Sequence, residues 1–553
     1  MGLGHTYAAA LIGLVAHPVI VEADVAAGLA AFILVGLPDA SLAEARDRVR
    51  AAAANSYCSI PTRRITVNLS PADLPKTGTS FDVAIAAAVL AASGQVPGNS
   101  VREWVHVGEL GLDGRVHPVR GVLAALWSLS KREPPITRFV VAAANAVEAR
   151  LVPGIEVVAV RHLSDLLAFH RGEQPPCWDP DEQDELPDDV EAGLPGGSGP
   201  AVRFGGAVGG TAGRGGWPAP GDWPGRGGWP RGALDLSDVV GQEEARDALE
   251  VAAAGGHHLL LVGPPGAGKT MLAARLPGLL ADLDDQEALD VTAIHSICGT
   301  LDPHAGLIRR PPFEDPHHTA TPAAIVGGGS GLPRPGAASR AHRGVLFLDE
   351  AAEFSTRVLE ALRQPLEQGE LVINRALGSA RYPASFQLVL ASNPCPCGRS
   401  SGKGLECTCT PAARRRYLSR LSGPLLDRVD LQVEVHPVSR AEMASAARPE
   451  GSAAVAARVL GARAVQRDRL AGTGWSCNGQ VPGPWLRAAW RLPPPVTRDL
   501  DRAMERGQLS ARGYDRVLRV AWTLADLGGR DGPVRDDIGR ALVLRRRTGD
   551  GLP

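Results

Sequence analysis

Residues 263–270 read GPPGAGKT, which satisfies the pattern G-x-x-x-x-G-K-[ST] at every fixed position. Glycine tolerates left-handed backbone, so such a loop can turn successive N–H groups inward around an anion. A helix starting directly behind it adds the positive end of its dipole. The flanks supply that setting, because the apolar run 258–262 reads as a buried strand and 271–280 as a helix. Strand, phosphate loop and helix in this order predict an α/β core built on a parallel sheet. The backbone of Gly263, Pro264, Pro265, Gly266, Ala267 and Gly268 is expected to cradle the phosphates of ATP. Lys269 would reach the β and γ phosphates, and the Thr270 hydroxyl would hold Mg²⁺. A matching half follows about eighty residues later, where 345–350 read VLFLDE, an apolar strand ending in two carboxylates. Asp349 is placed to complete the Mg²⁺ shell and Glu350 to orient or deprotonate an attacking water, which predicts an ATPase.

At 553 residues the chain exceeds a single hydrophobic core, so several domains are expected. With 58 Lys+Arg against 60 Asp+Glu, bulk charge argues neither for nor against nucleic acid, and any basic surface must be local. No apolar run approaches the length that spans a bilayer, and no basic region precedes an apolar stretch at the N-terminus. A cytoplasmic protein without a membrane partner is therefore expected. Four of the eight cysteines, Cys395, Cys397, Cys407 and Cys409, form two C-x-C pairs. They could close a tetrahedral S₄ site around a structural Zn²⁺, with free thiols or a labile disulfide as the alternatives.

Residues 1–171 alternate β-branched strands with alanine-rich helices, for example 65–69 followed by 81–92, and read as a compact α/β unit. Over 172–234 the periodicity stops. An acidic stretch at 179–191 gives way to Gly/Pro/Trp-rich sequence with GRGGWP at 213–218 and 225–230, a composition that predicts a flexible linker. Its tryptophans could stack on single-stranded nucleic acid or on a partner, or serve only as linker. The P-loop core spans 235–440. There Asp238 is expected to cap a helix carrying Ala245, Leu249 and Ala253, and strands at 371–373 and 386–391 leave Arg375 and Arg381 in a turn region. Residues 441–553 read as a helical connection followed by a small helical unit, with Leu518, Ala521, Trp522 and Leu524 on one apolar face.

Several stretches carry a family likeness: GLPDASLAEARDRVRAA at 36–52, NLSPADLPKTGTSFD at 68–82, GELGLDGRVHPVRG at 108–121, DVVGQEEARDALEVAAAGGHH at 238–258 and SGPLLDR at 422–428. On these the chain resembles the ComM/YifB family of magnesium-chelatase-like AAA+ ATPases, from about residue 5 to 170 and from 235 to 547. The resemblance implies a Lon-protease-like N-terminal domain, an AAA+ core and a C-terminal helical lid, working as a homo-oligomeric ring, a hexamer. DNA is the implied polymer, with branch migration in recombination or transformation as the task. A chelatase-type chaperone that remodels a protein partner during metal insertion is the alternative. Ser80 matches the Lon nucleophile, but Leu123, Ala124 and Ala125 stand where Lon carries its lysine. Serine without a base is a poor nucleophile, so the domain is read as a binding or assembly module.

The same resemblance assigns Asn393 to the sensor-1 position and Arg512 to sensor-2. It makes Arg428 the arginine finger offered to a neighbouring subunit, with Arg420 second, and sets Val239 and Val240 near the adenine. The interval between 263–270, the Walker A loop, and 345–350, the Walker B strand, would carry a pore insert. His317 and His318 there are read as structural or pore-loop residues, with metal binding as the lesser alternative. Glu314 replaces the family's arginine and is followed by Asp315, which argues against a phosphate grip by this loop. Arg375 and Arg381, where related motors carry a hairpin that touches DNA, and the cluster Arg414, Arg415 and Arg416 could touch DNA or simply be solvated.

Overall fold

The computed structural model describes residues 2–36, 40–56, 58, 60–174, 234–329, 333–375, 378–400, 407–421, 423–443 and 449–545. The acidic and GRGGWP stretches read as a linker lie outside them. The N-terminal unit is a seven-stranded mixed sheet in the order Ala31–Val35, Arg64–Ser70, Val15–Ala26, Gly2–Ile12, Val105–Val107, Arg138–Ala142 and Glu156–Val160. Its two longest strands form an antiparallel hairpin. Alternate residues Val19, Val21, Ala23 and Val25 face the helix Asp82–Ala92, while the opposite face packs on Val122–Ser130. Asp82–Ala92 is apolar on nearly all sides and correspondingly buried, as a helix without a polar stripe must be.

This is the expected Lon-like α/β layer arrangement. Leu123, Ala124 and Ala125 are core residues of the helix Val122–Ser130. Asp82, two residues past Ser80, is locked in a buried pair with Arg48 at 2.6 and 3.0 Å. Lys76, the lysine nearest in sequence, donates instead to the carbonyls of Pro71 and Leu74.

The second unit holds a parallel five-stranded sheet ordered Phe313–Glu314, Val345–Leu348, Gln387–Ser392, Leu259–Val262 and Leu431–Glu434. All strands end on one edge, where open parallel sheets bind ligands. Helix Glu243–Gly255 covers one face with Ala245, Leu249 and Ala253 buried, and packs in turn on the lid helices Ser452–Arg469 and Ala511–Leu527. Leu518, Ala521, Trp522 and Leu524 lie in that shared core. Asp430 fastens lid to sheet: it is buried, bonds Arg516 at 2.5 Å and meets His257 at 3.2 Å, and His257 in turn reaches Thr523 at 2.8 Å. Among the described residues no helix is long and apolar enough to cross a membrane.

Three local expectations change. The helix behind the P-loop runs only over Lys269–Ala273 and continues as a 3₁₀ turn at Leu276–Leu279. Pro277 lacks an N–H and its ring would collide with the carbonyl four residues back, so an α-helix through 280 is interrupted. Arg275, 1% exposed, turns inward and donates to Met271 O, Asp235 O and the Asp238 carboxylate at 2.9, 2.6 and 3.0 Å. Asp238 therefore does not cap Glu243–Gly255. It closes the turn Leu236–Asp238 on the Asp235 N–H, and Gln242 precedes the helix instead. Finally, Glu370–Arg375 and Gly378–Pro383 form a hairpin with Arg375 near its tip. Arg381 lies on the return strand, opposite Val372 and 3.4 Å from Glu370, rather than in the turn.

The two units are docked. Helix Asp285–Cys298 lies along Val122–Ser130, with Ala293 in the shared core, Trp127 Nε1 donating to Asp290 at 3.4 Å and the Ser296 hydroxyl donating to Glu148.

Candidate nucleotide site

Gly266 and Gly268 take φ of 76° and 92°, left-handed values that let the loop curl without steric cost. Lys269 opens the following helix and folds its ammonium back under the loop, donating to Gly263 O, Pro264 O and Asn393 Oδ1 at 2.7, 3.0 and 3.1 Å. Burial lowers its pKa, against the pull of Asp349 and Glu350. Asn393 sits at the end of Gln387–Ser392, the strand between the two Walker strands, so its amide reaches the lysine by sheet register alone. The Thr270 hydroxyl donates to Asp349 Oδ2 at 2.7 Å, so the two groups suited to one Mg²⁺ already meet. Asp349 Oδ1 accepts the Glu350 N–H at 2.8 Å. Glu350 has φ of 50°, a left-handed value uncommon outside glycine, and its carboxylate stands 3.3 Å from His318 Nδ1.

Other neighbours were not evident from the motifs. Gln242 ties the P-loop from behind by donating to Ala267 O at 3.2 Å. Burial, and then the charges of Glu314 and Asp349, push the Asp315 carboxyl above its usual range. Glu314 itself is neutralised by Arg340, at 2.7 Å in the shortest of three contacts. His317 turns to Thr319 at 2.8 Å while His318 faces Glu350, so the adjacent rings do not converge on an ion. Val239 is buried and Val240 is partly exposed.

The arginines divide differently. Arg428 is 8% exposed, pairs with Glu367 and donates to Pro424 O. Its pKa is lowered by burial and then by Arg363, Arg512 and Arg516, a concentration of positive charge. Arg512 is exposed at the start of the lid helix Ala511–Leu527, 3.8 Å from Asp427. Arg420 holds Glu353, just past the Walker B strand, at 2.9 Å. The structure thus gathers Lys269, Thr270, Asp349, Glu350 and Asn393, whereas Arg428 is held by Glu367 and Arg512 lies beside Asp427.

Beside the site the four cysteines converge. Cys395, Cys397 and Cys407 have Sγ separations of 3.4, 3.7 and 3.6 Å, and all four sulfurs including that of Cys409 lie within 4.8 Å of one another. A zinc tetrahedron with ~2.3 Å bonds has sulfur edges of about 3.8 Å, so the donor set fits that ion. Burial pushes the Cys395 thiol up to about 12, whereas the Arg399 N–H and the neighbouring thiols pull Cys397 down to about 6.

A phosphate loop on a parallel sheet, a carboxylate pair on a second strand, an amide on the strand between them and a helical lid define a P-loop ATPase of the AAA+ class. Comparison with known proteins carries this further. The family described as "Magnesium chelatase, subunit ChlI" matches residues 235–443, "Subunit ChlI of Mg-chelatase" matches 21–145, and "Magnesium chelatase, subunit ChlI C-terminal" matches 449–545. The chain is 49% identical over 546 residues to the uncharacterized protein Rv2897c of Mycobacterium tuberculosis, covering 99% of each. It is 38% identical over 547 residues to competence protein ComM of Haemophilus influenzae, covering 99% of this chain and 98% of the relative. It is also 38% identical over 546 residues to the uncharacterized protein YifB of Escherichia coli, covering 99% and 97%. The chain belongs to the ComM/YifB family of magnesium-chelatase-like AAA+ ATPases.

Proposed function

We propose that this chain hydrolyses Mg·ATP in a cytoplasmic homo-oligomeric ring, a hexamer, and uses the cycle to move DNA, with branch migration during recombination or transformation as its task. The observation that carries the reading is the end-to-end similarity to competence protein ComM, over 99% of this chain. In the site, Lys269 would exchange its carbonyl and amide partners for phosphate oxygens, and Asn393 would bond the γ-phosphate or the lytic water. Thr270 and Asp349 would hold Mg²⁺, which neutralises charge on the phosphates. Glu350 would take the proton of the attacking water.

Arg428 is held by Glu367 and Pro424 O and Arg512 lies beside Asp427, which fits arginines that act on a nucleotide only after ring assembly or lid closure. Arg428 would serve the neighbour's site as the finger, and Arg512 would contact the γ-phosphate from the lid. The four cysteines would hold one structural Zn²⁺, closed by protein ligands and without a catalytic part. DNA contacts would fall to Arg375 and Arg381 of the hairpin and to Arg414–Arg416.

The test is the ATPase rate of the full chain with no DNA and with single-stranded, duplex and branched DNA. Stimulation, greatest with branched DNA, is expected. A rate indifferent to every DNA would refute the DNA reading and leave the chelatase-type alternative, action on a protein partner.

A further inference from the structure

We infer that the four-cysteine knuckle is a positioning element of the nucleotide site, a clasp whose bound metal fixes the P-loop and Asn393. The inference rests on the zinc reading above and concerns what the metal does there. The knuckle leaves the sheet directly behind Asn393, whose Oδ1 receives the Lys269 ammonium, and two residues later Cys395 is fully buried. Its turn bonds back on itself, with Gly398 N–H donating to Cys395 O at 3.0 Å, and rests on the P-loop. A Cβ on Gly398 would lie 2.5 Å from Pro265 Cδ and 2.8 Å from Pro265 Cγ, so no side chain fits between them.

The other end of the knuckle returns to the same place. Arg414 Nε donates to Cys409 O at 3.3 Å, and Thr410 caps the helix Pro411–Leu418 by accepting the Ala413 N–H at 3.2 Å. That helix buries Tyr417 with its hydroxyl against Ser392, the residue before Asn393. Arg420, just past it, grips Glu353 behind the Walker B carboxylates. The knuckle therefore joins three parts of the site: Pro265, Asn393 and the segment after Glu350.

Thiol to thiol contacts are too weak to hold this closure. Sulfur is a poor donor and acceptor, and bringing Cys395 and Cys397 together with Cys407 and Cys409 costs chain entropy. A tetrahedral thiophilic cation, Zn²⁺, would supply the bonds.

The experiment uses the full chain purified without added metal. It measures zinc per chain by atomic emission and affinity for a fluorescent ATP analogue, with circular dichroism as the folding control. Cys407→Ser/Cys409→Ser is expected to lose zinc and weaken analogue binding about tenfold, since small displacements of positioned groups cost this much or more. Gly398→Ala keeps every thiol but intrudes on Pro265, so it should retain zinc and also weaken binding. Zinc-free wild-type protein would overturn the metal reading and this inference with it. Zinc loss with unchanged affinity would overturn the inference alone. Should the double-serine variant fail to fold, Gly398→Ala decides, and retained zinc with wild-type affinity would refute the clasp.

Discussion

Glu350→Gln should leave nucleotide binding intact and stall turnover, whereas Lys269→Ala should act first on binding. Glu350 is half exposed and its carboxylate meets His318 at 3.3 Å, a contact that an isosteric amide can retain. The change in stability should therefore stay within about 0.5 kcal/mol. Phosphate and Mg²⁺ contacts fall to Lys269, Thr270 and Asp349, so affinity should be unaltered. Loss of a general base costs ~10²- to 10⁴-fold, about 3–5 kcal/mol at 1.36 kcal/mol per tenfold, and kcat should fall by that factor. Lys269 instead makes three hydrogen bonds that nucleotide would replace by bonds to phosphate. A charged hydrogen bond is worth a net ~1.5–3 kcal/mol, so Lys269→Ala should weaken ATP binding roughly ten- to hundredfold. Titration with a fluorescent ATP analogue gives Kd, and coupled phosphate release gives kcat. Normal turnover by Glu350→Gln, or wild-type affinity in Lys269→Ala, would refute the assignment of these roles.

Zinc should be present at one per chain and be lost in Cys395→Ser/Cys397→Ser, because hydroxyls are poor zinc ligands; metal-free, folded wild-type protein would dismiss the site. Arg428→Ala subunits should bind ATP but hydrolyse it slowly, and mixing them with Lys269→Ala subunits should restore part of the activity. Mixed rings without recovery would show that Arg428 serves only its own chain through Glu367. Asp430→Ala should destabilise the chain by about 3–5 kcal/mol, since it leaves Arg516 buried without its carboxylate. Urea denaturation reads this, and an unchanged midpoint would show that the cluster does not hold lid to sheet.

The nucleotide loop was legible because its chemistry is contiguous: eight residues set the turn, and their flanks set the strand and helix. The place of Asn393 beside Lys269 was legible as the end of an apolar strand in a chain that resembles a known family. What escaped depends on which distant strands become neighbours. His318 meets Glu350 only because Phe313–Glu314 lies parallel to Val345–Leu348, a pairing that no local pattern announces. The contact of Gly398 with Pro265 has the same origin, since Gln387–Ser392 lies beside Leu259–Val262. Arg275 reads as an ordinary helix-face cation until Pro277 breaks the helix and turns it inward. Asp238 looked like a cap because aspartate before a helix usually is one, but burial of Arg275 gave its carboxylate a stronger partner. Arg381 reads as a turn residue because it falls in the gap between two apolar runs, but a return strand, Gly378–Pro383, fills that gap.

The central claim is that hydrolysis at Lys269 and Glu350 drives movement along DNA. It is tested most directly on a labelled four-way junction with homologous arms, incubated with the full chain and Mg·ATP and followed by release of the two product duplexes. The account predicts ATP-dependent conversion by wild-type protein and none by Glu350→Gln, although the variant still binds the junction and the nucleotide. Conversion by Glu350→Gln at the wild-type rate, or no conversion by wild-type protein that hydrolyses ATP on the same junction, would contradict it.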